Sequence, residues 1–116
     1  MTDEKVTKMI NTAVDAILDR KGYNVVNLSV GEVSVIADNF VIATASNKSQ
    51  LDAIIDKVEE GMRDNGFELK NREGRSIGGW VLLDYSEVVI HLFLPDMRDF
   101  YGLDGTWRDV TCEKFD

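Results

Sequence analysis

Two apolar runs separated by four turn-forming residues constrain this chain more than any other feature. Trp80-Val-Leu-Leu83 and Val88-Val-Ile-His-Leu-Phe-Leu94 flank Asp84-Tyr85-Ser86-Glu87. Such a pair reads as an antiparallel hairpin, and so much apolar matter requires a larger sheet around it. With Asp84–Glu87 as the turn, Leu83 is expected opposite Val88 and Trp80 opposite His91. Alternation then places Trp80, Leu82, Val89, His91 and Phe93 on one face. Val81, Leu83, Val88, Ile90, Leu92 and Leu94 occupy the other, an aliphatic seat for helices. The first face, with an indole, an imidazole and a phenyl ring, suits either of two roles. It is core if the helix after Pro95 covers it with Met97, Phe100 and Tyr101, and a binding patch if it is open.

The rest of the chain supplies those helices and further strands. Val6, Met9, Ile10, Ala13, Val14, Ile17 and Leu18 recur at three- and four-residue steps and predict an amphipathic helix. Thr2 or Asp3 caps its start, and Arg20-Lys21-Gly22 ends it, with Gly22 in the left-handed position. Tyr23–Val30 is rich in branched residues and reads as a strand. Phe40-Val-Ile-Ala-Thr-Ala45 is nearly all apolar, as a central strand covered on both faces would be. Ser46 and Asn47 cap a second helix with the stripe Leu51, Ile54, Ile55, Val58 and Met62, and Asn65-Gly66 stops it. Phe67–Lys70 is expected as a short strand, parallel to Phe40–Ala45 through a right-handed crossover. Asn71–Gly79 is expected as a loop. Asp96–Leu103 reads as a short helix, and the segment after Asp104 is anchored only by Trp107. The predicted architecture is an α/β fold: a mixed, about five-stranded sheet with flanking helices. Residues 1–116 are expected to form one domain, its tail weakly structured from about 108.

Charge narrows the partners. Twenty-one acids against thirteen Lys plus Arg leave a net charge of −8. Nucleic-acid binders usually present a basic face, whereas here Arg72 with Arg75 and Arg98 with Arg108 are interspersed with acids. Binding dominated by nucleic acid is therefore not expected. An acidic surface favours basic proteins, through attraction that speeds encounter and fades with salt. No run approaches the ~18 apolar residues of a membrane span, and the start has no signal-peptide pattern, so a cytoplasmic location is expected.

Catalytic signatures are missing from the sequence. Gly74, Gly78 and Gly79 lack the setting of a phosphate loop. His91, the single histidine, has no Ser or Cys at a recognised spacing. Cys112 has acids nearby, which hold a thiol protonated. Asp38, Asp84, Glu87, Asp96 and Asp99 fall near strand ends, but no Asp-x-Asp pair offers a clamp for magnesium. No enzyme, cofactor or metal is expected. A nucleotide-binding enzyme stays as the alternative of another class.

Several stretches together resemble one family. Ala37-Asp-Asn-Phe-Val-Ile-Ala-Thr-Ala45, the Ser46-x-x-Ser-Gln50 helix start, the hairpin Trp80–Phe93, and Arg98-Asp-Phe-Tyr-Gly-Leu103 followed by Trp107 are similar to the ribosomal silencing factor (RsfS, Iojap-like) family. The resemblance runs from about residue 4 to 110. Ser86 stands where the family usually has Gly, Asn39 where an aromatic residue is common, and Gly105 interrupts the ending. The resemblance implies a fold like nucleotidyltransferases without their carboxylates. It also implies a non-enzymatic protein that docks on the large ribosomal subunit at ribosomal protein uL14 and blocks joining of the small subunit when nutrients are scarce. Organellar relatives act in large-subunit assembly. On that reading the expected partner contacts are Trp80, Leu82, His91, Phe93 and Met97, with Asp84, Glu87 and Asp96 as an acidic rim. An open aromatic face would also allow weak pairing of two copies.

Overall fold

The computed structural model describes residues 4–29, 38–101 and 111–115. The expected caps Thr2 and Asp3, the anchor Trp107, and the side chains of Phe100, Tyr101 and Cys112 lie outside this description. Helix α1 (Glu4–Asp19) forms on the predicted stripe, and Val6, Met9, Ile10, Ala13, Val14 and Ile17 are all buried. Leu18 is the exception, at 37% exposure. Lys21, not Gly22, takes the left-handed conformation at the helix end, with φ 68°. Gly22 answers to packing instead: a Cβ there would collide with Ile17 Cγ2.

After α1 come β1 (Tyr23–Ser29), β2 (Asn39–Thr44) and α2 (Lys48–Asp64). All six residues of β2 are buried, as a central strand requires. At the start of α2, Asn47 accepts a hydrogen bond from Gln50 N at 2.9 Å. Gln50 in turn accepts from Ser46 N at 2.6 Å. Its Nε2 also donates to the carbonyls of Arg20 at 3.1 Å and Lys21 at 2.9 Å. One side chain thus caps α2 and ties it to the end of α1, satisfying backbone groups that helix ends otherwise leave open.

The next segment departs from expectation. Phe67–Lys70 is not a strand, and its predicted parallel pairing with β2 does not form. The alternation there serves packing: Phe67 and Leu69 press on the core as half-buried side chains. The strand comes later, as β3 (Asn71–Arg75), and every one of its residues is exposed. A strand of charged residues at a sheet edge resists pairing with other chains, and it carries no hydrophobic pattern by which to find it. A 3-10 turn, Ser76–Gly78, follows. The Ser76 hydroxyl, and then Lys48, hydrogen-bond to the Asp52 carboxylate on α2 and hold its pKa below the ordinary value.

The hairpin is present as β4 (Trp80–Asp84) and β5 (Val88–Phe93), followed by α3 (Pro95–Tyr101) and β6 (Thr111–Lys114). Its register differs from the predicted one. Trp80 pairs with Phe93, Leu82 with His91 and Asp84 with Val89. The ladder runs longer because Ser86 accepts φ 75° and its N–H is held by Asp84 Oδ1 at 2.8 Å. A two-residue turn then suffices. The slip is two residues, so every side chain keeps its predicted face.

Among the described residues the sheet has six strands, in the order β3-β4-β5-β2-β1-β6. Only β2 and β5 run parallel among these pairs. Residues 111–114, expected in a weakly structured tail, lie along β1 as β6. Both long helices cover one face, where Val41, Ala43, Val81, Leu83, Ile90 and Leu92 meet α1 and α2. Burying each of the larger aliphatic side chains contributes roughly 1.5–3 kcal/mol, and this face holds most of them.

Candidate functional site

The other face of the sheet is built from the alternate residues. Val26, Leu28, Phe40, Ile42, Val89 and Phe93 are buried there, and Trp80, Leu82 and Met97 pack against them half-buried. Strand β4 sets this division: Val81 and Leu83 go under the helices, and Trp80, Leu82 and Asp84 stay half-buried on the far side. The predicted face is therefore real as a face and graded in exposure. Trp80, Leu82 and Met97 reach the surface, while His91 at 6% and Phe93 at 0% exposure lie beneath it.

Trp80, His91 and Phe93 form a parallel set of rings. Each pair of centroids is 6.2 Å apart, with interplanar angles between 6° and 14°. Phe40 meets His91 edge-on at 5.1 Å. Offset stacks of this kind add about 0.5–1.5 kcal/mol beyond area burial and fix the indole in place. Trp80 Nε1 donates to His91 Nδ1 at 3.4 Å. Burial pushes the His91 pKa down to about 4, so the ring is neutral near pH 7. With Nδ1 accepting, the proton sits on Nε2, which has no hydrogen-bond partner among the described residues. His91 is thus a rigid, neutral support for Trp80.

Helix α3 brings Met97 to the same patch. Gly79, at φ 83°, stands so close that a Cβ would meet Met97 Cγ at 2.6 Å. Leu94 N donates to the Gly79 carbonyl at 2.9 Å. Arg98 anchors the helix to the sheet: its Nη1 donates to the Asn24 carbonyl at 2.5 Å and to Thr44 Oγ1 at 2.8 Å. Asn24 offers that carbonyl at the irregularity in β1, where its φ is 50°. The Arg of the Arg-Asp-Phe-Tyr stretch is accordingly a clamp on α3.

The three expected rim acids separate. Asp84 lies on the Trp80 face at the hairpin turn, and Asp96 is exposed in the first turn of α3. Glu87 turns to the helix side instead, where it pairs with Lys5 of α1 at 3.1 Å. Sequence reasoning missed β3, whose Asn71, Glu73 and Arg75 stand directly opposite Asp84, Leu82 and Trp80. Residues paired in this way share a face, so these three border the patch. Their alternation is the only signal, and it becomes legible once the segment is known to be a strand.

Among the described residues no group of three His, Cys, Asp or Glu could hold a metal ion. No helix among them is long and apolar enough to cross a membrane. These features define a mixed α/β domain with helices sealing one sheet face and, on the other, a half-buried patch of Trp80, Leu82 and Met97 over buried rings. The profile of the family described as "Ribosomal silencing factor during starvation" matches residues 3–116. A protein named ribosomal silencing factor RsfS from Halalkalibacterium halodurans is 35% identical over 103 residues, covering 89% of this chain and 88% of its own. A crystal structure of a Chromobacterium violaceum protein superposes with a TM-score of 0.83 at 28% identity, covering 87% of this chain and 84% of that one. A mouse protein named "Mitochondrial assembly of ribosomal large subunit protein 1" is 29% identical over 82 residues, 68% of this chain and 35% of its own. The chain belongs to the ribosomal silencing factor (RsfS) family. Its role is accordingly in translation, in association with the ribosome.

Proposed function

We propose that the protein docks on the large ribosomal subunit through ribosomal protein uL14 and blocks joining of the small subunit by occupying its space, which represses translation when nutrients are limiting. The observation that carries this reading is the patch of Trp80, Leu82 and Met97, held at the surface by rings that are themselves buried. A rigid aromatic anchor at the centre of an apolar patch is the usual form of a binding hot spot, with truncation costing about 2–4 kcal/mol. The net charge of −8 suits a basic ribosomal protein in the cytoplasm. No catalysis and no cofactor are needed for steric exclusion. His91 and Phe93 act from below as supports, and Trp80, Leu82 and Met97 make the contact.

The test is subunit joining in vitro, followed by light scattering, with wild type and Trp80→Ala. The wild type is expected to bind large subunits and slow joining. The variant, with an unchanged circular dichroism spectrum, is expected to bind at least ~100-fold more weakly, the ratio that about 3 kcal/mol gives. Normal inhibition by a folded Trp80→Ala protein would remove this face from the reading. Absence of wild-type binding to uL14 and to large subunits would remove the reading itself. A second role, in large-subunit assembly, is favoured by the name of the mouse relative. It predicts precursor particles, in place of excess joined ribosomes, in sucrose-gradient profiles of a deletion strain.

A further inference from the structure

The edge strand gives the patch a direction. Glu73 lies directly opposite Leu82, and Arg75 directly opposite Trp80, on the face that carries the patch. Cross-strand neighbours of this kind have Cβ atoms about 5 Å apart, so each charge sits against the apolar side chain it accompanies. Asp84 joins Glu73 at the hairpin-turn end, two carboxylates beside Leu82, and Arg75 stands at the opposite end beside Trp80. Both Glu73 and Arg75 are exposed, and neither takes part in an ion pair among the described residues. Arg72, next to Glu73 and on the other face of the strand, is already engaged by Glu59 of α2 at 3.1 Å. The alternation of β3 thus spends one charge on the fold and leaves two for the surface.

We propose that Glu73 is the residue that orients docking: it receives a cationic side chain of a basic protein surface at the Leu82 end of the patch, and Arg75 repels cations from the Trp80 end. This rests on the docking reading above and adds the polarity of the contact to it. A cationic surface can then seat its apolar part on Trp80 and Leu82 in one of the two directions along the strand, not both. Exposed charges at the edge of an interface act mainly on association rate and on choice of partner, and salt screens them.

Association of dye-labelled protein with purified large ribosomal subunits, measured by stopped flow at low and high ionic strength, tests this. Glu73→Lys is expected to slow association about ten-fold at low salt, with the gap closing as salt rises. Glu60→Lys makes the same charge change on α2, behind the opposite face, and is expected to alter the rate less than about two-fold. Equal slowing by both variants would make net charge the cause and overturn the proposal. Unchanged or faster association of Glu73→Lys would also overturn it, the faster rate meaning that the row faces nucleic-acid phosphate. Trp80→Ala runs alongside. If it binds weakly while Glu73→Lys binds normally, docking by this face stands and the orienting role of Glu73 falls. If Trp80→Ala binds normally, both fall.

Discussion

His91 shows what burial does to a titratable side chain on an apolar face. The unfolded chain takes up a proton on this ring near pH 6.5, and the folded chain does so only at about 4. The folded pKa is depressed because the charged ring is poorly solvated under Trp80 and Phe93. Stability from this group is therefore full above pH 6.5 and falls as pH drops toward 4, where the unfolded state holds the extra proton. The interval is 2.5 pH units, so at about 1.4 kcal/mol per unit the loss is about 3 kcal/mol. His91→Phe keeps a flat ring for the stack and removes both the titration and the unpartnered Nε2–H. Urea unfolding at several pH values should show the variant within about 1.5 kcal/mol of wild type at pH 7. Its relative stability should then improve by about 3 kcal/mol between pH 7 and 4. Parallel curves would mean that His91 stays equally exposed in both states.

At the scale of elements, α3 is the piece that completes the patch, and among the described residues Arg98 ties it to the sheet. Its 7 residues are too short to be stable alone. Arg98 spans to Asn24 and Thr44, and Leu94 bonds Gly79. Arg98→Ala should lower stability by about 1–3 kcal/mol, the loss of charge-assisted bonds to neutral acceptors. Amide exchange of residues 95–101 should quicken more than that of β5. Equal quickening in both would mean that α3 and the sheet open together. The sequence marks this helix by Asp96 at its start, with Pro95 ending the strand before it, but the clamp was invisible, because Arg98 reaches across 74 positions of sequence to Asn24. Periodicity likewise revealed α1, α2 and the faces of the hairpin, and an unbroken apolar run revealed β2, where burial imposes a pattern. It failed at β3, which buries nothing, and at Phe67–Leu69, where the same alternation packs a loop. The hairpin register turned on Ser86 accepting a left-handed φ, which composition alone does not disclose. For the site, the face was legible from alternation. Its grading was not, since the burial of His91 and Phe93 depends on neighbours contributed by β2 and α3.

The whole molecule divides its labour between the faces of a single sheet. Helices α1 and α2 seal one side with aliphatic packing, leaving the other free to carry an aromatic strip that packing alone would not require. That arrangement works only if the strands keep their register out to the edges of the sheet, and the two edges are managed differently. On one side β3 is charged and exposed. On the other, β6 covers β1, whose Val25 and Leu28 are at 0% and 2% exposure. Beyond β6, Phe115 N donates to the Val25 carbonyl at 3.0 Å, and its ring packs on the helix-side core. Deleting residues 111–116 would strip these ladder bonds and leave an apolar strand as an open edge, a template for pairing with other chains. At about 0.5–1.5 kcal/mol per lost hydrogen bond, plus the Phe115 contact, the truncated chain should lose about 2–5 kcal/mol. Urea midpoints measure this directly. Size-exclusion chromatography at rising concentration should show oligomers of the truncated protein under conditions where the full chain elutes unchanged. An unaltered midpoint and elution volume would mean that β1 needs no cover and that the sheet is complete at five strands.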